Sequence, residues 1–154
     1  ADRTALMRAL NSGTVDNIAT DHAPHLREEK EQDIWSAPAG VPGVETLLPL
    51  LLNEVNNKNI SLKRVVELTS SNPSKIFRLE NKGGLKRGFD ADFVIVDLKE
   101  ERKVDADRLF SKCGWSPFEG RTLRGWPTHT FVRGNLVFED GAIIKNKGME
   151  VGYF

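Results

Sequence analysis

Val15-Asp16-Asn17-Ile18-Ala19-Thr20-Asp21-His22-Ala23-Pro24-His25 is the stretch from which the rest of the chain is read. Its first six residues alternate apolar and polar and predict a short β-strand. Asp21 would then stand at the carboxyl end of that strand, with two histidines and a proline behind it. That order builds a core poorly. It suits a metal ligand and proton carrier at the mouth of a barrel. Singly, each residue has an ordinary reading: Asp21 as a turn or cap residue, His22 as a packed ring, His25 as a surface group. Their succession after a strand and before a Pro/Gly-rich loop favours a site.

On either side the pattern alternates helix and strand. Asp2 to Leu10 reads as a helix with Leu6, Met7 and Leu10 on one side, ended by Asn11-Ser12-Gly13. The chain lacks an initiator Met and starts in mid-pattern, which gives the expectation of a segment cut from a longer α/β protein. Downstream, Leu26 to Asp33 is charged and reads as a solvated loop or short helix. Trp35 to Gly43 contains two prolines and two glycines and reads as a shaped loop. Val44 to Asn53 predicts an apolar helix with Leu47, Leu48, Leu51 and Leu52 buried. Ser61 is placed to N-cap a helix reaching Leu68, and Asn72-Pro73 to open a third running to Phe77.

At Gly83 the character changes. Phe93-Val94-Ile95-Val96-Asp97, a strand near Val104, Thr128 to Arg133, Asn135 to Phe138 and Ala142 to Ile144 read as strands, with hairpin signals at Gly134-Asn135 and Asp140-Gly141. The expected division is therefore residues 1–79, α/β, and residues 80–154, a small β domain. Gly83-Gly84 to Gly88 precedes a strand rather than opening a helix, so it does not read as a phosphate loop.

Composition narrows the function classes. Of the 154 residues, 22 are Lys or Arg and 22 are Asp or Glu, so the formal charge is zero and no basic surface for nucleic acid or anionic lipid is expected. Arg121, Arg124 and Arg133 near Trp126 fit a twisted sheet surface better than a nucleic-acid patch. The longest apolar run, around Leu47 to Leu52, is broken by Pro49 and is too short to span a membrane. The lone Cys113 cannot form an intrachain disulfide and reads as a small buried hydrophobe, which goes with a cytoplasmic protein. His129 lies among predicted strands and reads as structural or exposed.

Three stretches resemble the carboxyl-terminal part of the dihydroorotase family of the amidohydrolase superfamily. They are Ile18 to His25 followed by Arg27-Glu28-Glu29-Lys30, Ala37 to Thr46, and Asn72 to Phe77 with Gly83 to Asp97. The first two are specific, and the third is common to the superfamily. The resemblance implies the last part of a (β/α)8 metal-dependent hydrolase barrel, followed by strands of a small β-sandwich domain. It implies a cyclic amidohydrolase that interconverts dihydroorotate and carbamoyl-aspartate with zinc, one or two ions in the complete enzyme, in pyrimidine biosynthesis. On this resemblance Asp21 is both metal ligand and catalytic base, then acid. His25 meets the substrate carboxylate, Ala39 and Gly40 contact the pyrimidine ring through their backbone, and His22 has a supporting role.

The family's remaining ligands, a His-x-His pair, a metal-bridging lysine and two more histidines, have no counterpart here. Catalytic zinc takes about three protein ligands, so the expected partners include the amino-terminal part of the same enzyme, and the chain alone is expected to be inactive. A homo-oligomer is also compatible. The alternatives are another cyclic amidohydrolase, allantoinase or dihydropyrimidinase, whose substrates lack the carboxylate His25 would bind, and a non-catalytic scaffold of the same fold.

Overall fold

A computed structural model describes residues 2–145 and 147–153. Helix α1 (Asp2–Ser12) packs through Leu10 onto a core of Ile60, Val65 and Leu68, joined by Val15, Ile18, Leu48, Leu51 and Val55. Leu6, expected on the buried side of α1, is instead 62% exposed. The end of α1 that meets the core carries Leu10, and Leu6 lies one turn further out.

Residues 15–20 are not paired into a strand, which corrects the expectation drawn from their alternation. They run as an irregular segment tied to the core by Ile18 N–H donating to Leu68 O at 3.2 Å. A parallel barrel strand needs neighbours on both edges, and the strands among the described residues all belong to one antiparallel sheet. Arg64 holds the segment instead. Its Nε donates to Leu10 O and its Nη2 to Val15 O, both at 2.6 Å, while Nη1 meets Glu67 at 2.9 Å.

Helix α2 is the single turn Arg27–Lys30. Helix α3 (Leu47–Asn56) begins three residues later than periodicity suggests, after a turn in which Leu47 N–H and the Thr46 hydroxyl both reach Gly43 O. Pro49 is tolerated in its first turn, where no intrahelical N–H is required. Ser61 caps α4 (Leu62–Val66) as expected, its Oγ accepting from Arg64 N at 3.1 Å.

Asn72 does not open a separate helix. The chain passes from α4 through a π-helical turn, Glu67–Ser71, into α5 (Asn72–Ile76), with Asn72 already helical at φ −74°. Pro73 has no N–H for the helical ladder, and a widened turn ahead of it accommodates its ring. The Asn72 amide, free of capping, donates to Asp16 O at 2.8 Å.

Residues 93–143 form one four-stranded antiparallel sheet in the order β1 (Phe93–Lys103), β2 (Thr122–Val132), β3 (Asn135–Glu139) and β4 (Ala142–Ile143). β1 and β2 are longer than the local pattern predicts because bulges interrupt the alternation. One falls between Ile95 and Val96, where Val96 pairs with Pro127, a position that tolerates the missing donor. Arg133-Gly134 and Asp140-Gly141 have positive φ at both residues, the geometry of two-residue type I′ turns. The first lies one residue earlier than Gly134-Asn135.

The helical layer and the sheet meet at α3 and β2. Asn56 Nδ2 donates to Arg124 O at 2.9 Å, and Arg124 N–H donates to Asn53 Oδ1 at 3.1 Å. Leu52 and Leu123 are fully buried, each contributing about 1.5–3 kcal/mol.

An ion-pair cluster ties the approach to the sheet to the β2–β3 turn. Lys82 Nζ lies 2.7 Å from Asp90 and also pairs with Asp92, Arg133 Nε is 3.3 Å from Asp90, and Arg133 N–H donates to Asp92 Oδ1 at 2.7 Å. Burial works to raise the Asp92 pKa, but hydrogen bonds from Lys82 and Arg133 outweigh it and the net shift is downward. For Lys82 burial works downward, and the two carboxylates turn the net shift upward. Asp92 therefore stabilises the fold above the ordinary carboxylate range near 4, and that stability is lost as pH falls through its lowered value. Lys82 stabilises below its ordinary value near 10.4, and that stability is lost as pH rises past its raised one. Lys82→Met is expected to cost about 1–3 kcal/mol at pH 7, because it leaves two carboxylates side by side. In urea titrations the gap from wild type should narrow below about pH 3, where the carboxylates are neutral in both proteins. A constant gap would assign the loss to packing instead.

Candidate active site

The segment Asp21–His25 lies alongside the Ala37–Val44 loop. His22 and Val41 form a parallel bridge, and Ala23 N–H donates to Val41 O at 3.0 Å. The two backbones are so close that a Cβ on Gly40 would sit 2.6 Å from Ala23 Cβ, and Gly40 has φ +93°. A side chain at this position would push the loop off the segment. Asp21, His25, Ala39 and Gly40, far apart in type and up to 19 positions apart in sequence, thus share one rim of the molecule.

Asp21 is exposed and left-handed, with φ +46°. Asp tolerates this conformation better than most residues. Among the described residues its carboxylate takes part in no hydrogen bond or ion pair, so its oxygens remain free to accept. His22 has a definite task. Its Nδ1 accepts from Gly43 N–H at 3.0 Å and from Val44 N–H at 3.3 Å, which leaves Nε2 as the ring's other polar atom. The ring therefore fixes the end of the Pro/Gly loop.

His25 is 38% exposed in its side chain, with Nδ1 3.9 Å from Glu29 Oε2. Its backbone is held from the β part of the chain: Trp115 Nε1 donates to His25 O at 2.8 Å. The Trp115 segment is itself anchored at the helical layer, where Glu45 accepts from Phe110 N–H and Ser111 N–H, both at 2.8 Å. Cys113 is buried within it, its thiol 3.2 Å from Ser111 Oγ. His129 is half-buried, 3.4 Å from Glu139 and 3.0 Å from Thr128 Oγ1, and serves the sheet.

Neither Trp115 nor Glu45 carries a local signal of its task, because their partners lie 90 and 65 or 66 positions away. Lys30 carries a partial one, since it closes the Arg27-Glu28-Glu29-Lys30 run. Read by composition that run is solvated, yet Lys30 Nζ donates to Pro38 O at 2.5 Å and Gly40 O at 3.1 Å. Glu29 Oε2 accepts from Leu26 N–H at 2.6 Å and holds α2 beside His25.

A cavity of about 1140 Å³ lies elsewhere than this rim. It opens on the sheet, lined among others by Arg102, Phe110, Trp126, Val132, Phe138 and Ile143. Asp21, His25, Ala39 and Gly40 are not among its lining residues. Among the described residues no three His, Cys, Asp or Glu side chains are grouped to hold a metal ion. A catalytic zinc needs about three such donors, so these residues do not by themselves fit one. No described helix is long and apolar enough to cross a membrane.

Comparison with known proteins gives this geometry a context. Residues 1–137 match the Amidohydrolase family. The dihydroorotase of Methanosphaera stadtmanae is 46% identical over 135 residues, covering 88% of this chain and 32% of that protein. The dihydroorotase of Pyrococcus furiosus is 48% identical over 143 residues, covering 93% and 33%. The chain thus spans about a third of the length of the curated relatives it matches. Among solved structures, the L-hydantoinase (dihydropyrimidinase) from Arthrobacter aurescens superposes with a TM-score of 0.87 at 41% identity, over 91% of this chain and 32% of its own. The D-hydantoinase (dihydropyrimidinase) from a Thermus species reaches 0.87 at 28% identity, over 94% and 32%.

Proposed function

The chain belongs to the amidohydrolase family, and from that premise we propose that it is the carboxyl-terminal portion of a dihydroorotase, the enzyme that interconverts dihydroorotate and carbamoyl-aspartate in pyrimidine biosynthesis. The carrying observation is the docking of Asp21–His25 on the Ala37–Val44 loop. It gathers an unpaired carboxylate, an imidazole and a tightly approached backbone along one rim. Identity of 46–48% to the dihydroorotases of two organisms supports the choice of substrate.

In the hydrolytic direction a water oxygen forms a bond to the ring amide carbon and the carbon–nitrogen bond breaks. Asp21 takes the proton released by the water and hands it to the departing nitrogen, so one carboxylate serves as base and then as acid. His25 donates to the ring carboxylate, which sets the ring's orientation. The backbone at Ala39 and Gly40 meets the ring's polar edge, which a loop of small residues allows. Dihydroorotases as a class are metal-dependent; bound zinc would polarise the amide and the attacking water. Asp21 would supply one ligand, and the others would come from the portion of the enzyme beyond this chain. The remaining partners in this reading are the substrate pair and copies of the same enzyme. A cytoplasmic setting accords with the buried free thiol of Cys113.

The second reading, a hydantoinase or dihydropyrimidinase, is favoured by the superposition on those structures. His25 separates the two. A hydrogen bond to a charged group contributes roughly 1.5–3 kcal/mol, about ten- to a hundred-fold. His25→Ala in the full-length protein is expected to lower kcat/KM for dihydroorotate by that factor and to matter little for dihydrouracil, which has no ring carboxylate. The pairing of mutant and substrate cancels general damage to the segment. Equal losses on both substrates would remove His25 from carboxylate recognition and return the choice to the second reading.

A further inference from the structure

Lys30 performs a task at the rim that neither the helix it ends nor its charged neighbours require. Its Nζ reaches across to the Pro38 and Gly40 carbonyl oxygens, the two that flank Ala39. The peptide bonds here are trans, and in a trans peptide the C=O and N–H point in opposite directions. The peptide that offers Pro38 O to Lys30 therefore turns Ala39 N–H away from it. Ala39 is exposed, and its N–H and that of Gly40 donate to no partner among the described residues. The loop is held elsewhere by the His22 ring under Gly43 and Val44, and by Ala23 N–H on Val41 O. Those contacts fix residues 41–44. The Lys30 ammonium holds the Pro38 and Gly40 carbonyls by two charge-assisted hydrogen bonds, and partial burial strengthens the one to Pro38.

We infer that Lys30 is a positioning residue. By gripping the carbonyls on both sides of Ala39 it presents the Ala39–Gly40 backbone to the pyrimidine ring in one orientation. This rests on the dihydroorotase reading. It adds a residue that touches no reacting atom and acts on ring binding through the loop. Loss of the clamp should weaken binding of the ring more than it slows the chemistry, which Asp21 performs.

The test compares wild type, Lys30→Met and Lys30→Arg in the full-length protein, with dihydroorotate as substrate and chymotrypsin as a probe of the loop. Trp35, 93% exposed, stands in the same loop and offers a cleavage point. Lys30→Met is expected to raise KM about ten- to a hundred-fold with kcat changed less than about threefold. The melting temperature should hold, and cleavage after Trp35 should become about tenfold faster. Lys30→Arg keeps the charge and should recover most of the KM. An unchanged KM overturns the inference, as does a fall in kcat that tracks a fall in melting temperature. If the wild-type enzyme does not turn over dihydroorotate, the functional reading fails on its own account. The clamp is then judged by cleavage after Trp35, and an unchanged rate overturns it.

Discussion

Asp21→Asn in the full-length protein is expected to lower kcat for dihydroorotate by at least about 10²–10⁴-fold, the usual contribution of a positioned proton-transfer group. The substitution preserves shape. It is also mild for the backbone, because Asn accepts the left-handed conformation that Asp21 adopts at φ +46° as readily as Asp does. No ion pair among the described residues is broken, since the carboxylate has no partner there, and in the proposed zinc site the Asn carbonyl would replace one carboxylate oxygen as a weaker ligand. What disappears is the proton-accepting oxygen and its negative charge. Thermal unfolding should therefore be close to wild type while turnover collapses for dihydroorotate and for dihydrouracil alike. That shared collapse contrasts with the substrate-selective effect expected at His25. Near-normal turnover in the Asn variant would take Asp21 out of the mechanism and leave it as a turn residue.

The second large effect is on stability. Gly125→Ala is expected to cost about 3 kcal/mol, the sum of backbone strain and overpacking. Gly125 lies in β2 with φ +104°, a conformation that L side chains rarely adopt. A Cβ there would stand 2.6 Å from Leu52 Cβ and 3.4 Å from the Leu52 carbonyl carbon. Leu52 is fully buried in α3, so it cannot swing aside, and the helix would have to lift from the sheet. Gly88→Ala is the control. Gly88 has φ +88°, and nothing lies within 4 Å of a Cβ there, so it carries the backbone cost without the overlap. The difference in urea midpoint between the two variants measures how tightly α3 is seated on β2. Equal midpoints would mean that the helix yields at little cost.

These two sites differ in how visible they are from sequence. Asp21 stands in a short motif whose meaning is local: an acid, two histidines and a proline in succession, followed by a loop of small residues. The Ser61 cap and the Asp140-Gly141 turn are legible for the same reason, since cap and turn chemistry involve residues two to four apart. Gly125 gives no such sign. Nothing in Leu123-Arg124-Gly125-Trp126 indicates that a helix some 70 positions earlier presses on it.

Local reading also goes astray where a segment lacks the neighbours that its pattern assumes. Residues 15–20 alternate as a strand does, yet backbone hydrogen bonds define a strand, and here the segment is tied by Ile18 N–H to Leu68 O and by Arg64 to Val15 O. Asn72-Pro73 looks like a helix start. The fold continues the helix through a π-turn that accommodates Pro73, and the Asn72 amide, not used as a cap, donates to the Asp16 carbonyl.

Reading along the chain supplies the candidate groups and their order, Asp21, His25 and the Ala39-Gly40 backbone, and the change from helices to strands near Gly83. How those groups are held follows from the packing of distant segments. Trp115 on the His25 carbonyl, Glu45 on the Phe110 and Ser111 amides, and Lys30 on the carbonyls around Ala39 are long side chains reaching polar backbone groups. Such backbone groups are alike at every position. Periodicity and motif spacing cannot say which of them a given side chain will find; that follows from where the folded layers leave a donor within about 3 Å of an acceptor.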